Sequence, residues 1–439
     1  MLLKYSRFNH LVPMPEGGWA LYNFRTGSCL RLNFLTKDIF DRATTLDPSR
    51  KDVSQLRALG FLVDFDELRH LKNMTRLAAG RTDQIGVCLC PTFDCNFDCP
   101  YCFEHRRPGR MSPETQDNYM RFLEKEIGKF HPGLLSVTWF GGEPLMAPDV
   151  IRDLSGRMIS LCKEKNVEYS ASIITNGWFL NQKNTELLEE AQICNIQITL
   201  DGPDAATNDR TRKLRSGGGT FERIVENLRS IRTGIRIEVR CNLQRENADY
   251  YDRVKELVRA LKEETGNPIS AYIGYLDGEI SVHDVGYSTA IGMDAEEYSD
   301  LLRQKEKHPR LLYRRTHCIA QNGAGVAVDE LGNLYKCWEN IGLPEESFGN
   351  LEDFGFRREP DARIENLYKY LDTAWPDYDP ECMECVLLPF CLGGCPHKRV
   401  KYGEKKCNSY RYMLDDYVIN RCRYVYSDEY KEKKKHDGQ

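Results

Sequence analysis

The sequence predicts an α/β protein whose parallel sheet curls into a partial (β/α)6 barrel, and three observations lead there. From Gln84 onward, six apolar runs alternate with five amphipathic stretches. Glycines, acids, an amide and cysteines recur just after those runs. Loops after parallel strands share one face, where such folds place their chemistry. Eight of the 17 cysteines among 439 residues stand in two groups.

Residues 1–80 read as a small unit ahead of the barrel. GWALYN (18–23) and SCLRLN (28–33) are short strands around the turn Phe24-Arg25-Thr26-Gly27. Helical patterns at about 36–45 and 50–59 follow, then the apolar FLVD and a charged helix from Asp66. This order suggests a winged-helix-like module, with a plain N-terminal cap as the other reading.

The six barrel strands are expected in IGVCLC, SVTWF, YSASIITNG, NIQITLDG, RIEVRCNL and ISAYIGYLDG. The helices between them are expected near 113–130, 149–165, 184–193, 220–232 and 247–264. The first strand runs into Cys95, Cys99 and Cys102. The second ends in Gly141-Gly142-Glu143-Pro144, the third in Thr175-Asn176-Gly177, the fourth in Asp201-Gly202-Pro203 and the sixth in Asp277-Gly278. Beyond about 310 the alternation stops, and short turns with cysteines dominate to about 425. This reads as a third unit that depends on metal to fold. Residues 426–439 form a charged tail.

Composition narrows the function. Hydrophobic residues make up 41% and charged residues 29%, a globular balance, and the net charge is −5. No basic field is present for nucleic acid or an anionic membrane. The N-terminus has no apolar stretch of signal-peptide length. Nowhere is there a run of the roughly 18 apolar residues that a span needs. A cytoplasmic protein is expected, and in that reducing setting clustered cysteines point to metal or catalysis rather than disulfides.

Cys95-Asn-Phe-Asp-Cys99-Pro-Tyr-Cys102 has the spacing C-x3-C-x2-C. Three thiolates on one loop can hold three irons of a 4Fe–4S cube and leave the fourth open to a chelating amine and carboxylate. Zinc is the rival reading. It closes its structural sites with four ligands, and only His105 stands near enough to be considered.

With these residues on the page, the stretch from about 85 to 280 resembles the radical S-adenosylmethionine superfamily. CNFDCPYC is similar to its cluster signature and GGEP to its second signature. ITNG (174–177) and TLDGP (199–203) look like its features around the ribose and carboxylate. Asn208-Asp209 stands where the family often has His-Asp, and Arg212 keeps the expected arginine. Ser216-Gly-Gly-Gly-Thr-Phe221 resembles a turn of peptide-modifying members; locally, Thr220 is expected to cap the following helix.

The resemblance implies that Cys95, Cys99 and Cys102 hold a 4Fe–4S cluster. It implies that Tyr101, Gly141, Gly142, Glu143, Pro144, Thr175, Asn176, Thr199, Asp201 and Arg212 meet S-adenosylmethionine, with Glu143 read as an acceptor for its ammonium. The cofactor would then release a 5′-deoxyadenosyl radical. Asp277 looks like the proton-accepting Asp of sulfatase maturases; a turn-forming Asp-Gly is the alternative.

The C-terminal cysteines are similar to a SPASM domain, covering 310–425 and carrying two auxiliary 4Fe–4S clusters. By that resemblance Cys382, Cys385, Cys391 and Cys407 close the outer cluster, with Cys422 as a second choice for its last ligand. Cys318, Cys337 and Cys395 hold the inner one, whose fourth ligand stays open. A zinc ribbon is the competing reading. The cofactors implied are S-adenosylmethionine and three 4Fe–4S clusters.

Residues 1–80 resemble the leader-binding module of enzymes that mature ribosomally made peptides, and 81–300 the radical core. The expected activity is hydrogen abstraction from a precursor-peptide residue, followed by a thioether or carbon–carbon crosslink. Formylglycine formation, as in anaerobic sulfatase maturases, is the second reading, and a non-catalytic iron–sulfur peptide-binding scaffold the third. The expected partners are a precursor peptide and a flavodoxin or ferredoxin, with no nucleic acid and no membrane.

Overall fold

The computed structural model describes residues 3–104, 106–243, 247, 249–275, 295–305, 318–353, 361–403 and 405–428. The chain divides into two compact units. One comprises Gly80–Asp294 and Cys318–Asp372; the other comprises Met1–Ala79, Ala295–His317 and Thr373–Gln439.

The second of these units opens with five strands, β1 (Lys4–Tyr5), β2 (Asn9–Pro13), β3 (Trp19–Asn23), β4 (Cys29–Leu32) and β5 (Leu62–Val63). Strands β2, β3 and β4 form an antiparallel sheet, and β1 pairs with β5. Helices α1 (Phe34–Arg42), α2 (Lys51–Ala58) and α3 (Glu67–Ala79) accompany them. Alternation on β3 gives the sheet two apolar faces. Leu21 joins Leu32, Phe40, Val53 and Leu56 in one core. Ala20 and Tyr22 join Phe8, Val12 and Phe24 in another, which is completed by Trp375, Leu387, Leu388, Phe390, Tyr417 and Val418. The N-terminal strands therefore share a core with the cysteine-rich C-terminal segment. The boundary drawn at residue 80 separates them in sequence, not in packing.

The other unit is an α/β structure on a mostly parallel sheet. Its parallel strands are β6 (Gln84–Leu89), β7 (Leu134–Trp139), β8 (Glu168–Ile174), β9 (Ile193–Thr199), β10 (Arg236–Leu243) and β11 (Ile269–Tyr275). They lie side by side in chain order. Between them run α4 (Pro113–Phe130), α5 (Pro148–Lys165), α6 (Gln182–Glu190), α7 (Ala205–Asn208), α8 (Phe221–Ser230) and α9 (Tyr250–Thr265). Local chemistry sets the helix ends. Ser112 accepts the Thr115 N–H at 3.0 Å, Pro113 opens α4, and His131 ends it in the left-handed region.

Strand alternation sorts the two sheet faces. On β7, Leu135, Val137 and Trp139 are buried, while Ser136 and Thr138 on the other face are only half-buried. Thr138 bonds Ser172 of β8 across that polar face at 3.2 Å.

Part of the segment expected as a third unit, within 318–372, belongs to this sheet. Strands β12 (Gly325–Val328), β13 (Asn333–Tyr335) and β14 (Gly349–Asn350) extend it beyond β6. β12 runs parallel to β6, pairing Gly325 with Gly86 and Val328 with Leu89. All four of its residues are buried, which anchors 325–350 by apolar packing. No described helix is long and apolar enough to cross a membrane.

Candidate active site and cysteine centres

The loop after β6 and the loop after β7 are laid against each other. Phe140, Gly142 and Glu143 donate their N–H groups to Leu89, Thr92 and Asp94 carbonyls at 2.9–3.1 Å. A side chain at Gly142 would put its Cβ 2.4 Å from the Asp94 oxygen, and one at Gly141 would lie 2.3 Å from Cys90 Sγ. The paired glycines thus let the backbone lie flush against the segment leading to Cys95. Pro144 opens a single helical turn over 144–146.

Glu143 is fully buried and works inside the protein. Its Oε1 accepts from Thr175 Oγ1 at 2.7 Å and from the Leu145 N–H at 3.0 Å, and its Oε2 from the Asn176 N–H at 2.7 Å. Burial pushes its pKa up, opposed by the Asn176, Thr175 and Leu145 bonds. The ammonium expected on Glu143 therefore meets a carboxylate already holding three donors. Its visible role is to tie the loop after β7 to the loop after β8. Asn176 turns its side chain to the cysteine loop, donating to Asn96 Oδ1 at 2.8 Å with Cys95 Sγ at 3.9 Å.

After β9, Asp201 is buried and accepts from Thr211 Oγ1 at 2.8 Å and from the Tyr101 hydroxyl. Arg212 donates to the same hydroxyl at 3.0 Å and lies over the Phe97 ring. Tyr101, inside the cysteine motif, is thereby joined to two distant loops. Burial works against the Arg212 charge, but Tyr101, Cys99 and Asp201 around it raise its pKa. Thr199 ends β9, nearly buried, opposite Arg240 of β10.

Asn208 accepts the Asp201 N–H at 3.1 Å and donates to Thr220 Oγ1. Thr220 makes no side-chain cap on α8, contrary to the sequence expectation. Asp209 caps it instead, accepting the Thr220 and Phe221 N–H groups at 2.9 and 3.0 Å. The Thr220 hydroxyl is spent on the Arg212 carbonyl.

The residues around this first cysteine loop fit a polar cofactor. Asn96 Nδ2, Asp201 Oδ1 and Arg212 Nε are buried without a protein partner, one donor–acceptor set on adjoining loops. Burial raises the thiols of Cys95, Cys99 and Cys102, pushing Cys95 and Cys102 up to about 12; Cys95 also feels Cys99, and Cys102 feels both of the others. Among the described residues, no three His, Cys, Asp or Glu side chains gather for a single ion. A cube gives each thiolate its own iron, so its ligands stand apart.

The outer C-terminal set forms a second centre. Cys382, Cys385, Cys391 and Cys407 line one cavity, together with Lys405 and Arg411. Asp379 accepts the Cys382 N–H and so starts the helix Pro380–Glu384. Gly394 has a φ of +90°, and a Cβ there would strike the Lys406 oxygen at 2.4 Å. Glycine at this position lets the segment carrying Cys407 close on the other three cysteines. Cys422 lies elsewhere, fully buried and hydrogen-bonded to Cys29. Four thiols with cations at one cavity suit an iron–sulfur cluster.

Of the inner set, Cys318 and Cys337 belong to the sheet unit and Cys395 to the other unit. Lys336 is buried beside Cys337 and donates to the Asn322 and Gly325 carbonyls. Burial lowers its pKa to about 8, opposed by Cys318. Asp277 lies outside the described residues.

Sequence reasoning missed several participants. Asn242 at the end of β10 donates to the Tyr101 hydroxyl at 3.4 Å, and Asn247 donates to the Asp201 and Asn242 carbonyls at 3.0 Å. Glu104, two residues past Cys102, is buried with neither oxygen partnered; burial, with Glu339 and Glu330 nearby, pushes it up to about 8. An asparagine next to the end of the fifth barrel strand, RIEVRCNL, was the available signal for Asn242.

Residues 89–258 match the family model of the radical SAM superfamily. The radical SAM cyclopropyl synthase TigE of Paramaledivibacter caminithermalis is 24% identical over 438 residues, covering 87% of each chain. The serine-type anaerobic sulfatase-maturating enzyme of Klebsiella aerogenes is 21% identical, covering 73% of this chain and 82% of its own. The PqqA peptide cyclase of Gluconobacter oxydans is 28% identical over 171 residues, 39% of this chain and 44% of that one. Among solved structures, anSMEcpe with bound AdoMet and the Cp18Cys peptide shares the fold, with a TM-score of 0.56 at 16% identity over 78% of this chain and 97% of that chain. Strand order, cysteine loop and family match agree: over residues 89–258 the chain carries a radical SAM domain.

Proposed function

We propose that this chain is a radical SAM peptide maturase. In this reading it abstracts hydrogen from a residue of a ribosomally made precursor and forms a thioether or carbon–carbon crosslink. The observation that carries the reading is the pairing of two cysteine centres, one at the ends of a parallel sheet and one in a cavity of the C-terminal segment. The likeness to a cyclopropyl synthase over 87% of both chains supports it, as does the partial likeness to a peptide cyclase.

S-adenosylmethionine and a reduced cluster would supply a 5′-deoxyadenosyl radical. Cys95, Cys99 and Cys102 would hold the iron. Asn96, Asp201 and Arg212 would satisfy the polar groups of the cofactor, and Tyr101 would fix Asp201 and Arg212 relative to the cysteine loop. Glu143 would brace the loops after β7 and β8. Cys382, Cys385, Cys391 and Cys407 would hold an outer auxiliary cluster, and Cys318, Cys337 and Cys395 an inner one. Asp277 remains the proposed proton acceptor. The β2–β3–β4 sheet would take the leader as an added strand, and a flavodoxin or ferredoxin would supply electrons.

The test is anaerobic incubation of reconstituted enzyme with S-adenosylmethionine, dithionite and the peptide encoded beside it. A product two hydrogens lighter that keeps its sulfur is expected. Formylglycine chemistry is the second reading, favoured by the sulfatase-maturase likeness over 73% of this chain. An aldehyde captured by a hydrazide would establish it instead.

A further inference from the structure

We propose that Arg399 and Arg411 set the reduction potential of the four-cysteine cavity, an inference that rests on that cavity holding an iron–sulfur cluster. Each guanidinium donates to a different sulfur. Arg399 Nη2 lies 3.2 Å from Cys382 Sγ, and Arg411 Nη1 lies 3.2 Å from Cys407 Sγ. The other two cysteines have different surroundings. Cys385 and Cys391 pack against the apolar core of Leu387, Leu388, Phe390 and Tyr417. Two of the four sulfurs thus each hold a guanidinium.

Both arginines are held in place. Arg399 donates Nε to the Gly393 carbonyl at 2.6 Å and pairs with Asp379, while Arg411 pairs with Glu381. Lys405 pairs with both of these acids. Three cations thus face two carboxylates, and Lys406 also lines the cavity, so the thiolates face a net positive surrounding. The balance is local: Asp379 also accepts the Cys382 N–H at 3.1 Å and takes both Lys405 and Arg399 as ion partners. The Arg399 side chain is only 10% exposed, so solvent screens its charge poorly.

Reduction adds one negative charge to a cluster. A fixed guanidinium on a ligand sulfur stabilises that added charge and raises the potential. The same hydrogen bonds also favour thiolate over thiol, which helps assembly, so the two roles need separate readouts.

The experiment is a redox titration followed by electron paramagnetic resonance, with iron and zinc analysis, on reconstituted full-length protein. It compares the parent with R399Q, R411Q, R399K, R411K and C407S. The signal missing in C407S identifies the outer site. In R399Q and R411Q that signal is expected to keep its iron and shift to more negative potential, further in the double variant, while the other signals stay unshifted. The lysine variants are expected to keep most of the parent potential. An unshifted potential in the fully loaded Gln variants overturns the proposal. So does iron loss in the Gln variants with parent potentials in the Lys and residual Gln protein, which leaves the arginines an assembly role. Zinc instead of iron at the position that C407S empties refutes the cluster reading itself.

Discussion

The two cysteine centres are built in opposite ways. Cys95, Cys99 and Cys102 sit on a loop whose shape is imposed by its neighbours. Leu89, Thr92 and Asp94 are bonded to the loop after β7, Asn176 reaches over from β8, and Tyr101 is tied to Asp201 and Arg212. Its thiols are desolvated; Arg212 is engaged with Tyr101, and Arg215 and Arg106 donate to the Cys95 and Phe97 carbonyls rather than to a sulfur. Cys382, Cys385, Cys391 and Cys407 instead come from short helices and turns, with Arg399, Lys405 and Arg411 supplying charge. The first centre borrows its order from a sheet. The second obtains it from ion pairs and from an apolar face contributed by the N-terminal strands. Two sites with similar ligands should therefore fail under different perturbations.

Deleting residues 1–79 gives the largest expected effect. It removes Phe8, Val12, Ala20, Tyr22 and Phe24 from the core that backs Cys385 and Cys391. Each large buried side chain contributes about 1.5–3 kcal/mol, so their sum rivals the whole stability of a typical domain, about 5–15 kcal/mol. The truncated protein should lose the iron of the outer centre and aggregate, while hydrogen exchange across β6–β9 stays protected. Full iron content with an unchanged unfolding transition would show that the N-terminal module is detachable, as sequence alone suggested.

Next in size is the contrast between Cys407→Ser and Cys422→Ser. The former should remove about four irons of roughly twelve. The latter should leave iron unchanged, because Cys422 lies against Cys29 rather than in the cavity. Equal iron losses would put both thiols at the same site.

Asp209→Ala sharpens the comparison on the sheet side and has the smallest effect. It strips the cap from α8 and should cost about 1–2 kcal/mol, read as a lower denaturation midpoint. Thr220→Val should leave the two capping N–H bonds in place, although it loses the bond to the Arg212 carbonyl.

What could be read from the sequence follows from the range of the forces involved. Strand and helix positions came from periodicity, which is local: α4 was expected at 113–130 and spans Pro113–Phe130. The cysteine loop and GGEP were legible because a fixed spacing on one loop is itself geometry. Glu143 was legible as a position but not as a brace, since its three donors come from Leu145, Thr175 and Asn176. Asp209 was legible as a position but not as a cap, because a cap twelve residues before its helix has no local signature. The shared core of 3–79 with 373–428 was hidden by a sequence separation of about 300 residues, and β12 by the loss of alternation in a strand buried throughout.

The most direct test of the central claim is to quantify iron, sulfide and zinc in anaerobically reconstituted protein, then measure 5′-deoxyadenosine after adding dithionite and S-adenosylmethionine. About twelve irons per chain and steady release of 5′-deoxyadenosine are expected. With Cys95, Cys99 and Cys102 all changed to Ala, about eight irons and no release are expected. Tightly bound zinc with no cleavage in the parent, or cleavage that survives the triple substitution, would contradict the claim.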